Sequence, residues 1–81
     1  MIKVKDIITL SDGNKYGVVS KTNLNDINYY YLIDINNYHN IKFLFEEKEL
    51  SLVEVIDKEL LKKLVSIFAS NMRKELKNIS N

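Results

Sequence analysis

The apolar pattern of this 81-residue chain changes period at Asp57, and that change limits the fold more than any other feature. Ahead of Asp57, apolar residues come in short runs rich in β-branched and tyrosine side chains, separated by Gly, Asn and Asp. After it, Leu61, Leu64, Val65, Phe68, Met72, Leu76 and Ile79 recur at spacings of three and four, the repeat of one helix face. Asp57 suits the N-cap, because its carboxylate can accept from the free N–H groups of the first turn. Arg73, Lys74 and Lys77 near the helix end complement the negative pole of its dipole. The reading is one domain over 1–81, a β-meander over 1–56 and a C-terminal helix over 57–79.

The β part divides at its turns. Ile7–Leu10 reads as a first short strand, and Asp12-Gly13 as a hairpin turn whose two residues tolerate positive φ. Lys15–Thr22 returns, with Tyr16, Val18 and Ser20 on one face; Gly17 suggests a bulge or a tight bend. After a turn at Asn23–Asp26, Ile27–Ile35 is the strongest strand. Its faces separate into Tyr29, Tyr31, Ile33 and Ile35, expected to face the core, and Tyr30, Leu32 and Asp34. A polar loop at Asn36–Asn40, a fourth strand at Ile41–Phe45, a charged turn at Glu46–Glu49 and a fifth strand at Leu50–Ile56 complete the series. Sequential strands joined by tight turns pair with their neighbours. The expected fold is therefore α+β: an antiparallel four- to five-stranded meander, SH3-like or a small partly open barrel, with one C-terminal amphipathic helix over one face.

Composition narrows the function classes. No cysteine is present, which excludes a disulfide framework and the common zinc clusters. No apolar run approaches the roughly 18 residues of a membrane span. With no leader pattern at Met1–Asp6, the cytoplasm is the expected location. Lys outnumbers Arg heavily, and the Lys-, Asn- and Ile-rich usage matches AT-rich codons. Charge is uneven within the net +1: the β part is mildly acidic and the helix basic.

No residue set carries catalysis. His39 is the only histidine and has no neighbouring nucleophile or paired carboxylate in the sequence. Glu46, Glu47 and Glu49 lack the burial that separates carboxylate pKa values, and their spacing does not match a calcium loop. Asp12-Gly13-Asn14 has too little glycine to cradle phosphate. The expectation is no enzyme, no metal and no cofactor.

Binding signals are stronger. Three consecutive tyrosines cannot share one strand face, so at least Tyr30 is expected at the surface. Tyr29, Tyr30, Tyr31 and Tyr38 are candidate partner contacts, against the simpler reading of cross-strand aromatic packing. A helix of about 22 residues is roughly 33 Å long, whereas a five-residue strand spans about 17 Å. Met72, Leu76 and Ile79 are thus expected to overhang the sheet and to meet a partner or a second copy. Lys62, Lys63, Arg73, Lys74 and Lys77 form a possible phosphate-contacting strip, set against an ordinary solvated helix face.

The Asp-Gly turn before Lys15-Tyr16-Gly17-Val18-Val19, the Tyr-Tyr-Tyr-Leu-Ile strand, and Leu52–Asp57 leading into Glu59-Leu60-Leu61 resemble a group of short uncharacterised proteins. These occur in Firmicutes and their phages as a domain of unknown function. The resemblance covers most of the chain, implies the same meander with a terminal helix, and transfers no site. The first functional expectation is a non-catalytic module that occupies a partner protein's surface, carried by a phage or mobile element. The alternative is a small nucleic-acid-binding accessory protein using the basic helix face.

Overall fold

A computed structural model describes residues 2–48 and 51–79, without the side chains of Lys48 and of residues 74–79. Strands β1 (Ile7–Thr9), β2 (Lys15–Leu24), β3 (Ile27–Asp34), β4 (Asn37–Lys48) and β5 (Ser51–Glu54) precede helix α1 (Lys58–Ile79). Each strand pairs antiparallel with its sequence neighbour, in the order β1-β2-β3-β4-β5. The expected meander and terminal helix are both present.

The turns explain the pairing. Leu24 sits opposite Ile27, and the two residues between them, Asn25 and Asp26, have φ of 54° and 65°. That is the two-residue hairpin turn that matches strand twist, built from the residue types that tolerate it. At the first hairpin only Gly13 has positive φ, at 83°. Asp12 instead accepts from the Asn14 N–H at 2.9 Å through Oδ1. This is a three-residue loop closed by one left-handed glycine, not the two-residue turn the Asp-Gly pair suggests.

Two irregularities redirect side chains. In β2 the register shifts between Val18, opposite Leu32, and Ser20, opposite Tyr31. The bulge follows Gly17 and takes Ser20 off the Tyr16–Val18 face, correcting the expected grouping of the three. Between β3 and β4, Ile33 pairs with Ile41 while Asp34 pairs with Asn37, so Tyr38, His39 and Asn40 bulge from the ladder. The segment expected to be a polar loop is therefore the irregular start of a long strand. Glu46, Glu47 and Lys48 likewise continue β4 instead of turning the chain.

Ile8 and Leu10 from one end of the sheet and Leu52 from the other pack on one cluster: Tyr16, Val18, Tyr30, Leu32 and Leu44. The sheet consequently curls toward that face into a partly open half-barrel. The helix covers the opposite, outer face, where Leu64 and Phe68 meet Tyr29 and Val55 among Leu24, Tyr31, Phe43, Phe45, Leu60 and Leu61. Both faces of β3 are thus core faces, and Tyr30 is 0% exposed. The expectation of a surface Tyr30 assumed a single core and fails because curling creates a second.

Asp57 caps α1 as expected, accepting from the Glu59 N–H at 3.0 Å through Oδ1. The overhang expectation assumed five-residue strands, whereas β4 has 12 residues. Met72 is partly exposed for a different reason, given below. The side chains of Leu76 and Ile79 lie outside the described residues.

Candidate functional site

The helix covers only part of the outer face. On the uncovered part, Ile7 is opposite Gly17, Gly17 is opposite Ile33, and Ile33 is opposite Ile41. Directly paired residues point to the same side of a sheet, so three isoleucines and one glycine form a row across four strands. Ile35 stands beside it: a Cβ placed on Gly17 would lie 3.8 Å from the Ile35 Cγ2. The glycine leaves a dip in the row without being required by it.

The row runs into a cleft where sheet meets helix. Tyr31, Ile41 and Phe43 on the strands face Val65, Phe68, Ala69 and Met72 on α1 across about 210 Å³ of space. The floor is aromatic. Tyr31 stacks on Phe43 at 5.1 Å between ring centroids, and Phe68 lies 5.8 Å from Tyr31 and 5.9 Å from Phe43. Met72 is exposed because it stands on the open rim of this cleft, not because it lies beyond the sheet.

Ile7, Ile35, Ile41, Val65 and Met72 are 62%, 50%, 43%, 51% and 39% exposed. Together they present roughly 400–500 Å² of apolar surface, in the ~300–600 Å² range of the largest patch on a monomer, which is often functional. Cations outnumber anions along its helix margin. Lys62 lies three residues before Val65 and Arg73 four after Ala69, so both exposed cations flank the cleft side of α1. Exposed Lys15 precedes Gly17 on the same strand face, and its carbonyl accepts from the Ile35 N–H at 3.0 Å. Between Lys58 and Arg73 the helix carries one acid, Glu59, which lies three residues before Lys62, on the outer side of the same flank.

The inner face behaves differently. The Tyr16 hydroxyl donates to Asp12 Oδ2 at 2.7 Å and accepts from Asn40 Nδ2 at 3.0 Å. Asn40 also donates to Oδ2 of buried Asp34 at 3.2 Å, whose Oδ1 accepts from the Asn36 N–H at 2.8 Å. The Tyr30 hydroxyl donates to Glu46 Oε2 at 3.1 Å. Among the described residues no buried side-chain N or O lacks a partner. Burial, reinforced by the bond to Glu46, pushes the Tyr30 phenol up to about 12. Burial and the bond to Asp12 raise Tyr16 as well, while the bond from Tyr16 holds Asp12 below its usual value. The mouth of the half-barrel, about 300 Å³, is lined by Leu10, Leu44 and Leu52 with Asp12, Glu54 and Lys42 around them. Lys42 and Glu54 pair there at 3.4 Å.

The candidates from the sequence scatter accordingly. Tyr29 and Tyr30 are buried and present no surface to a partner, and with Tyr30 the nucleic-acid reading loses its stacking residue. Tyr31 is half-buried in the cleft floor. Tyr38 is 75% exposed, its ring 4.5 Å from that of His39 in the β4 bulge. Lys63 points to solvent on the helix side away from the cleft, whereas Lys62 and Arg73 border it. The side chains of Lys74 and Lys77 lie outside the described residues. Among the described residues no cluster of three His, Cys, Asp or Glu is placed to hold a metal. No helix there is long and apolar enough to cross a membrane.

Sequence reasoning missed Ile7 and Ile41 and counted Ile35 as core. Alternation places Ile35 on the correct face, but only the helix footprint reveals which part of that face stays open. Comparison of the chain with protein-family models, with curated proteins and with solved structures finds no match.

Proposed function

We propose that this chain is a small non-catalytic protein-binding module that acts by occupying a partner protein's surface. The supporting observation is the apolar row of Ile7, Ile33, Ile35 and Ile41 running into the Val65–Met72 cleft. Solvent-facing isoleucine gives a monomer no benefit in stability, and burying these side chains on a partner gives about 25 cal/mol per Å² removed from water. A role in blocking a host protein, carried by a phage or mobile element, fits a module of this size with one docking face.

Affinity capture with the immobilised protein, in nuclease-treated lysate, tests this. The wild type is expected to retain a near-stoichiometric protein that the Ile35→Lys/Ile41→Lys variant does not. Equal retention by both contradicts the reading. The nucleic-acid alternative keeps Lys62 and Arg73 as exposed cations on one helix flank, and it predicts that recovery disappears on nuclease treatment.

A further inference from the structure

We infer that the uncovered outer face receives an acidic amphipathic helix from another protein, laid beside α1 over Ile7, Ile33, Ile35 and Ile41. This rests on the docking reading above and names the occupant. Three observations on the same surface lead to it.

The first is architectural. One helix covers only part of the outer face of the sheet, and a second helix alongside would complete the layer. Val65, Ala69 and Met72, spaced four and three residues apart along α1, form one wall of a groove whose floor is Ile41 and Phe43. Such a groove accepts the i, i+3, i+4, i+7 side chains of a partner helix. An extended strand is a poor occupant, since over a sheet face its own N–H and C=O groups would lie unpaired on isoleucine side chains. A helix satisfies its backbone internally.

The second is size. Roughly 400–500 Å² of apolar surface is about half of the ~800 Å² that each partner buries in a standard protein–protein interface. One amphipathic helix face matches it better than a broad globular surface.

The third is charge. Lys15, Lys62 and Arg73 border the apolar surface and outnumber Glu59 on the same helix flank, so the complementary helix carries Asp and Glu beside its apolar stripe. A second copy of this chain would bring the same three cations to the same margin, which opposes self-association there.

Fluorescence anisotropy tests the inference with three labelled helical peptides of roughly 18 residues, about 27 Å long. They share one Leu/Ile stripe and differ only in flanking Glu, Gln or Lys. The Glu peptide is expected to bind at least about tenfold more tightly than the Lys peptide. Raising salt should narrow that gap, and Lys62→Glu/Arg73→Glu should reverse the order. Binding of all three alike, abolished by Ile35→Lys/Ile41→Lys, overturns the acidic class while leaving the docking surface standing. Absence of peptide binding, or binding indifferent to Ile35→Lys/Ile41→Lys, overturns both. Two further measurements oppose the inference: a dimeric mass in light scattering that Ile35→Lys/Ile41→Lys converts to monomer, and salt-sensitive capture of a labelled single-stranded oligonucleotide in place of the Glu peptide. Circular dichroism of each variant confirms that the fold persists, as the substituted side chains are exposed.

Discussion

The two faces of the β3 sheet region solve the same burial problem with different completeness. On the inner face, curling brings β1 and β5 residues over Tyr16, Tyr30 and Leu32, and the tyrosine hydroxyls that go inside find Asp12, Asn40 and Glu46. On the outer face, one helix seals Tyr29, Leu64 and Phe68 and stops short of Ile7, Ile35 and Ile41. A sheet can close over one side by its own curvature, but the other side needs a separate layer. Where that layer is narrower than the sheet, an apolar surface is left open, and in this chain it is bordered by cations.

The sealed part of the outer face is expected to be the most sensitive to substitution. Phe68 is almost fully buried against Tyr31 and Phe43, so Phe68→Ala is expected to cost about 3–5 kcal/mol. Total stability of a chain this size is about 4–12 kcal/mol, and urea denaturation should find the variant close to unfolded. If Phe68→Ala is mild, the helix is not a structural layer and the account of the outer face fails.

On the inner face the polar ties carry less. Tyr16→Phe removes the hydroxyl that links Asp12 to Asn40, an expected loss of about 1–2 kcal/mol in urea midpoint terms. Gly13→Ala asks a Cβ-bearing residue to hold φ of 83° and is expected to cost about 1 kcal/mol. The Tyr30 phenol gives a pH signature. Its folded pKa of about 12 stands above the ~10 of an unfolded tyrosine, so the folded chain holds the proton longer. That stability is fully present below pH ~10 and is lost as pH rises toward 12. Melting temperature should fall across that window, and less steeply in Tyr30→Phe.

The smallest effect sharpens the contrast. Ile35→Lys or Ile41→Lys alone is expected to change stability by no more than about 0.5 kcal/mol, as for ordinary surface substitutions, measured by thermal melts. A large destabilisation would place these residues in the fold's own core and remove the docking surface.

Much of this was legible in the sequence, and the gaps have physical causes. The change of period at Asp57, the cap and the turn expected at Asn23–Asp26, which narrows to Asn25–Asp26 because Asn23 and Leu24 continue β2, are local signals, set by residues near one another in the chain. The alternation of Tyr29, Tyr30 and Tyr31 was equally legible, but periodicity only separates two faces and does not say how many are covered. Curling decided that for Tyr30, and the direction of α1 across the sheet decided it for Ile35. The bulges at Val18–Ser20 and Tyr38–Asn40 reset the registers downstream, and no single residue type announces them; Gly17 only marked the neighbourhood of the first. The Ile7–Gly17–Ile33–Ile41 row exists solely through three strand registers, which is why inspection of one strand at a time could not find it.

The most direct test is a methyl and amide NMR titration of the full chain with the Glu-flanked helical peptide. The account predicts that shifts concentrate at Ile7, Gly17, Ile33, Ile35, Ile41, Val65 and Met72, while Leu32, Leu44 and Leu52 on the inner face stay in place. Shifts centred instead on the half-barrel mouth, at Leu10, Leu44 and Leu52, would contradict it and move the binding site to the other side of the sheet.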